Sequence, residues 1–263
     1  MAEEKMNSDA RRAMWSQFLG FGMDAYDMAM VIVLSPILSN IFADKNLPEA
    51  WQFLAIAFLY AVTMAARPVG AAFFGHYADK IGRCKLLVLT IGGVGIMSVA
   101  CALIPSPDQI GLVPAYIIFS VIRFLMGCFF GGEYAVGHTF AIEHAQANIR
   151  GRIGGFVQSG FPLGYAIASF VVLGVSVVIG EEAMQEWGWR LMFLTGVAPV
   201  GLALYLRKSL VESPIFTEAK ATGNCEKQPF ISLFKPPQLW SFLQVFAFMT
   251  GLFLTDYAIY QFI

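Results

Sequence analysis

The chain has 263 residues, of which 57% are hydrophobic and 13% charged, with a net charge of -1 and a mean hydropathy of +0.65. That balance excludes an ordinary soluble domain and describes a chain that folds in lipid, where helices close their own backbone hydrogen bonds. Once the lysines and arginines are set in membrane loops no basic face is left, which argues against nucleic acid as a partner.

A bilayer core takes roughly 20 apolar residues of helix. Taken in chain order, the predicted spans lie at 16–42, 52–75, 85–104, 112–140, 153–179 and 188–206, with a seventh from 238 into the carboxyl terminus. The first apolar run is too long for a signal peptide and is expected to stay in the mature protein. The first span carries Asp24 and Asp27, three residues apart on neighbouring parts of one helix face, where a shared proton is chemically plausible. The second carries Arg67 directly before Pro68, placed to pair with an acid or to meet an anionic substrate. The fourth carries Arg123 and Glu133, nearly on one helical face but about 15 Å apart along the axis, too far to pair with each other. Each such charge costs about 2.5–3.5 kcal/mol at the centre of a span, so these positions point to function. Asp24, Asp27 and Glu133 are the proton-coupling candidates, and Arg67 and Arg123 the substrate-binding ones. Tyr26, Tyr60, Tyr134, Gln158 and Tyr165 join polar tips to flat apolar bodies, as a pocket for a polar metabolite requires.

Of the 17 Lys and Arg, 13 fall on one side of the spans, among them Arg83, Arg150 and Arg207, while Lys45 and Arg190 fall opposite. The positive-inside rule then makes the amino terminus, the loops after spans two and four and the segment 207–237 cytoplasmic. That segment is polar and proline-rich and reads as a linker. Cys84, Cys101, Cys128 and Cys225 show no CxxC spacing and read as reduced thiols. His76, His138 and His144 have no metal-ligand spacing, and no cofactor motif or paired nucleophile and base is present, so neither metal, cofactor nor enzymatic chemistry is expected.

The loop after span two reads GHYADKIGRCK from Gly75 to Lys85. Gly75, Asp79, Lys80, Gly82 and Arg83 match the signature loop of the major facilitator superfamily, with Cys84 departing from its last basic position. Physically, Gly75 permits close helix approach, Gly82 a tight turn, and Asp79 with Arg83 a charge-assisted pair. RFLMGCFFGGE from Arg123, EHAQANIRG from Glu143 and Glu212-Ser213-Pro214 resemble further elements of that superfamily, so the likeness runs from about Gly75 to Pro214. The chain resembles the amino-terminal half of a transporter of its sugar and metabolite-proton symporter branch, sialic-acid-transporter-like.

The resemblance implies an all-α membrane fold in which two three-helix repeats form a six-helix bundle. It implies that Asp79, Lys80, Arg83, Glu143, Arg150 and Glu212, with Gly75 and Gly82, form a latch that breaks in each cycle. The domain reading is a cytoplasmic amino terminus at 1–15, the bundle at 16–206, a linker at 207–237, and at 238–263 the start of a missing six-helix carboxyl-terminal domain. The expected function is secondary transport of a small polar metabolite, a sugar, sugar acid or organic anion, by proton symport with alternating access in a bacterial inner membrane. The alternative is a transporter-like receptor or a nonproductive truncated product. The partners are then a small-molecule substrate, protons, the lipid bilayer and the missing domain, and residues 1–263 alone are not expected to perform coupled transport.

Overall fold

The computed structural model describes residues 6–44, 46–222 and 229–262; Lys45 and Cys225 lie outside the described residues. Every regular element among these is a helix. The first span is α1 (Ser8–Val33) followed by α2 (Ser35–Phe42), bent by 60° at the break. Pro36 sits in the first turn of α2, where its missing N–H and fixed φ suit a new helix start better than the middle of a continuous one. The second span is α3 (Glu49–Ile81), which runs through Pro68, and the third is α4 (Arg83–Ala102). After the short α5 (Pro107–Ile110) comes the fourth, α6 (Leu112–Glu143). The fifth is α7 (Arg150–Gln158) with α8 (Gly160–Ile179). The sixth starts at α9 (Glu181–Ala183), passes through a π-helical turn at Met184–Gly188, and continues as α10 (Trp189–Thr195) and α11 (Val197–Arg207).

Five of these stretches are long and apolar enough to cross a membrane among the described residues, six when the bent pair counts as one span. Beyond them, α12 (Pro214–Ala221) and α13 (Pro229–Ser232) place helical turns inside the predicted linker, and α14 (Gln238–Phe262) follows.

The core is mainly apolar, but large apolar side chains also face outward and several polar and charged ones lie inside. Phe53, Ile96, Val113, Phe170 and Val178 are exposed, whereas Ser16, Gln17, Asp24, Asp27, Thr63, Thr90, Arg123, Glu133 and Arg207 are buried. Surrounding hydrocarbon gives apolar side chains no reason to turn inward, so close packing and polar contacts hold the helices together. The closest contacts are α3 on α6 and α1 on α8. A Cβ at Gly131 would collide with the carbonyl oxygen of Arg67, and one at Gly164 with that of Gly22. The two pairings are alike: α3 and α4 pack on α6 as α8 and α11 pack on α1, the pattern of two three-helix units. An aromatic cluster of Phe42, Phe119, Trp189 and Phe193 fills one end of the interior.

Candidate functional site: buried ion pairs and the charged end of the bundle

Among the described residues, three carboxylate–arginine pairs run through the interior. Asp24 on α1 accepts two hydrogen bonds from Arg67 on α3, at 2.8 Å from Nη1 and 2.5 Å from Nη2, and the Arg67 guanidinium lies 5.5 Å from the Phe130 ring centroid. Asp27 on the same helix accepts from Arg123 on α6 at 2.8 and 2.7 Å, while Arg123 Nε donates to the Thr63 hydroxyl at 3.1 Å. The spacing of three turns the two aspartates by about 60°, enough to face different neighbours. Each has an arginine of its own, so the shared proton expected between them is not the arrangement found.

The third pair was not expected. Glu133 on α6 is gripped by both terminal nitrogens of Arg207 at the end of α11, with Nη1 at 2.9 Å, and accepts from the Thr90 hydroxyl of α4 at 2.8 Å. Arg207 also donates to the Leu87 carbonyl and, from Nε at 3.2 Å, to the Ser16 hydroxyl. Four helices therefore converge on one buried charge pair. Arg207 reads as a loop charge by sequence; the structure instead places it at the end of α11 and turns its side chain inward, at 0% exposure. Arg123 and Glu133 do not meet, as their separation along α6 requires. They are not on one face either: ten residues leave them roughly 80° apart around the axis, so one reaches α1 and the other α4 and α11.

The predicted pocket residues fall into separate places. Tyr26 donates or accepts a 2.5 Å hydrogen bond with Thr195 and lines an apolar cavity of 340 Å³ among α1, α8 and α11, walled by Phe18, Met23, Leu163 and Pro199. Tyr60 packs on the main core from α3. Tyr134 is on a different face of the bundle, against Phe21 and His138. Tyr165 reaches the same region through Phe161, and Gln158 approaches His138. Gln17, also buried there, contacts His138 Nδ1 at 3.1 Å.

At the end of the bundle bearing the α3–α4 turn, Arg83 meets Glu143 at 2.6 Å and Asp79 at 3.3 Å. Glu212 joins this cluster by capping α4, accepting from the backbone N–H groups of Arg83 at 3.0 Å and Cys84 at 3.2 Å; a carboxylate at a helix N-terminus satisfies free N–H groups and meets the positive end of the dipole. The preceding Gly82 has φ 105°, a conformation that side chains rarely adopt, and a Cβ there would lie 2.5 Å from Glu212 Oε2. Ser213, fully buried, donates to Glu143 and caps α12 through the Phe216 N–H. Arg150 stands outside this cluster, its Nε donating to the Ala145 carbonyl at 3.3 Å, and Lys80 is exposed. Gly75 is corrected as a close-approach site, since a Cβ there would meet nothing within 4 Å. Cys84, Cys101 and Cys128 are free thiols.

Sequence reasoning missed Arg207, Thr63, Thr90, Gln17 and Ser213. A basic residue closing an apolar run looks like an interfacial anchor, and the partner that draws Arg207 inward lies 74 positions away.

Comparison with known proteins bears on this architecture. A family model described as Major Facilitator Superfamily matches residues 17–263. A candidate metabolite transport protein of Haemophilus influenzae is 37% identical over 217 residues, covering 81% of this chain and 48% of that protein. The ectoine/proline transporter ProP of Corynebacterium glutamicum is 34% identical over 211 residues, covering 78% and 41%. The chain spans about half the length of the curated relatives it matches. The partially occluded, inward-open xylose transporter XylE of E. coli superimposes with a TM-score of 0.74 at 22% identity, covering 83% of this chain and 52% of that one, a likeness of fold.

Proposed function

The chain belongs to the major facilitator superfamily, and from that premise we propose that it forms the amino-terminal half of a secondary transporter moving a small polar metabolite together with a proton by alternating access. The observation that carries this reading is the set of carboxylates buried inside apolar spans, each neutralised by an arginine from another span. A buried pair holds two helices together only while the carboxylate is charged. Protonation removes the attraction, so a proton arriving at Asp24, Asp27 or Glu133 biases how the spans pack. Membrane potential contributes about 2.3 kcal/mol per charge per 100 mV, enough to make such an event drive uptake.

In this reading the bundle that moves runs from 16 through Arg207, which ends α11 and is buried against Glu133, with 208–237 the linker and 238–263 the first span of the second half. The amino terminus faces the cytoplasm of a bacterial inner membrane. The cluster of Asp79, Arg83, Glu143 and Glu212 is then the cytoplasmic latch, weak enough to open in every cycle. The substrate is a sugar, sugar acid or organic anion; ectoine and proline, named for one relative, extend the range to zwitterions that carry a carboxylate. The test is uptake of a metabolite panel by the complete protein in proteoliposomes, with and without a proton uncoupler. Accumulation that the uncoupler abolishes supports the reading, and a panel broad enough to include sugars, sugar acids and amino acids that yields no uptake overturns it.

A further inference from the structure

The cavity among α1, α8 and α11 has no use for a polar solute. Its 340 Å³ puts it at the small end of ligand pockets, roughly 300–1,000 Å³. Its walls are apolar, with Met23 from α1, Leu163 and Ile167 from α8, and Ala198 and Pro199 from α11. The two hydroxyls at its border have spent their hydrogens on each other and on the backbone: Thr195 donates to the Met192 carbonyl at 2.6 Å, so Tyr26 donates to Thr195 Oγ1. The cavity opens sideways. Leu163 and Ile167 at its rim are 46% and 45% exposed, and the same stripe of α8 continues through the exposed Phe170 and Val177. No charged residue occurs at 153–179 or 191–206, so the opening is continuous with the apolar flank that faces the bilayer.

The two three-helix units differ at this place. In one, α3 and α4 touch each other over α6, and Phe129 fills the seam between them, its ring 5.6 Å from that of Phe74 and directly against Gly93. In the other, α8 and α11 both pack on α1 but scarcely on each other, and the seam is lined by Gly22, Gly160 and Gly164, which have no side chain to fill it. It is therefore open down to α1. From Ser16 to Val31 every α1 residue is buried except Leu19 and Gly22, which are partly exposed, and both line this cavity.

We propose that the acyl tail of a bilayer phospholipid occupies this seam, standing between α8 and α11 as Phe129 stands between α3 and α4. Water finds no free polar partner there, and apolar cavities stay dry. An empty seam forfeits the dispersion contacts of its walls. Hydrocarbon is the material that borders the opening, and a tail that slides in passes from one apolar environment to another without a hydrophobic penalty. The headgroup stays at the membrane surface, so the walls need no charged partner for it. The tail site lies on the flank of the bundle, apart from the buried ion pairs, and reaches α1 within a turn of Asp24. It holds whichever solute is carried.

The test is photo-crosslinking of the complete protein in vesicles of phosphatidylethanolamine and phosphatidylglycerol, doped with a phosphatidylcholine that bears a diazirine midway along one tail. Adducts are mapped by mass spectrometry. Exposed α8 residues such as Phe170 are expected to be labelled wherever lipid touches the bundle, whereas adducts on α1 between Phe18 and Tyr26 require a tail inside the seam. Ala198→Trp, which plugs the seam, is expected to lose the α1 adducts and keep those on α8. Val178→Trp, on the outer surface at 82% exposure, is expected to keep both. The proposal is overturned if α8 is labelled and α1 is not, the result when another segment of the complete protein covers the seam. It is also overturned if Ala198→Trp leaves the α1 adducts unchanged, or if a water-soluble diazirine labels α1 as well as the lipid does. Should Ala198→Trp fail to fold, Ala198→Leu decides by the same readout: a smaller plug lowers α1 labelling relative to α8, and an unchanged ratio rejects the site.

Discussion

Arg207, the last residue of α11, closes a two-pronged ion pair on Glu133, 74 positions earlier in α6, with Thr90 and Ser16 completing the contacts from α4 and α1. One pair thus joins four of the six spans, and it does so where neither side chain is more than 2% exposed. Loss of either member leaves the other as a charge without compensation.

Arg207→Ala and Glu133→Ala are each expected to destabilise the folded bundle by about 3–5 kcal/mol, while replacing both with Met and Leu restores much of the loss. Thermal melting of the purified complete protein in detergent checks this. If the singles melt with the parent, the pair does not hold the helices.

Asp24→Asn and Asp27→Asn are expected to separate exchange from accumulation. A neutral amide keeps the shape but cannot gain or lose a proton, so counterflow of labelled substrate persists while accumulation against a gradient falls. Should both variants, and Glu133→Gln, concentrate substrate as the parent does, these carboxylates carry no proton for transport.

At the charged end the two contacts of Arg83 differ in burial. Glu143 is 11% exposed and Asp79 is 44% exposed. Exposed pairs contribute about 0–1 kcal/mol, so Asp79→Asn is expected to slow uptake modestly and Arg83→Ala, which also removes the Glu143 contact, to slow it more. Membrane insertion should be unchanged in both, read as protein in the membrane fraction. Equal, parental uptake by the two variants would remove the latch assignment.

Gly131→Val and Gly164→Val place side chains where the neighbouring helix presents the carbonyls of Arg67 and Gly22. Neither backbone can yield without parting α3 from α6 or α1 from α8. Both variants are expected to lose monodisperse protein on size-exclusion chromatography, whereas Gly75→Ala, which meets nothing within 4 Å, keeps it. A normal profile for either valine variant would show that the helices have room to separate.

The amino-acid sequence by itself determined that this chain is a bundle of membrane helices, roughly where they lie, with ends displaced by as much as the stretch from Ser8 to position 16, and that carboxylates and arginines sit inside them. Hydropathy over 20 residues is a local quantity, and a charge in an apolar run is visible without knowing its neighbours. The signature loop and the elements after it were equally local, and they pointed to the family that comparison established.

Only the tertiary structure decided which arginine serves which acid. Asp24 and Asp27 are close in sequence, yet a 60° turn of the helix sends one to Arg67 and the other to Arg123. Arg207 reads as a loop charge until the fold lays α11 beside Glu133, and Gly75 reads as a contact until α3 is seen to approach α6 at Arg67 instead. Pairing depends on which helices touch and at what height, and that is fixed by packing between segments that are tens of residues apart in the chain.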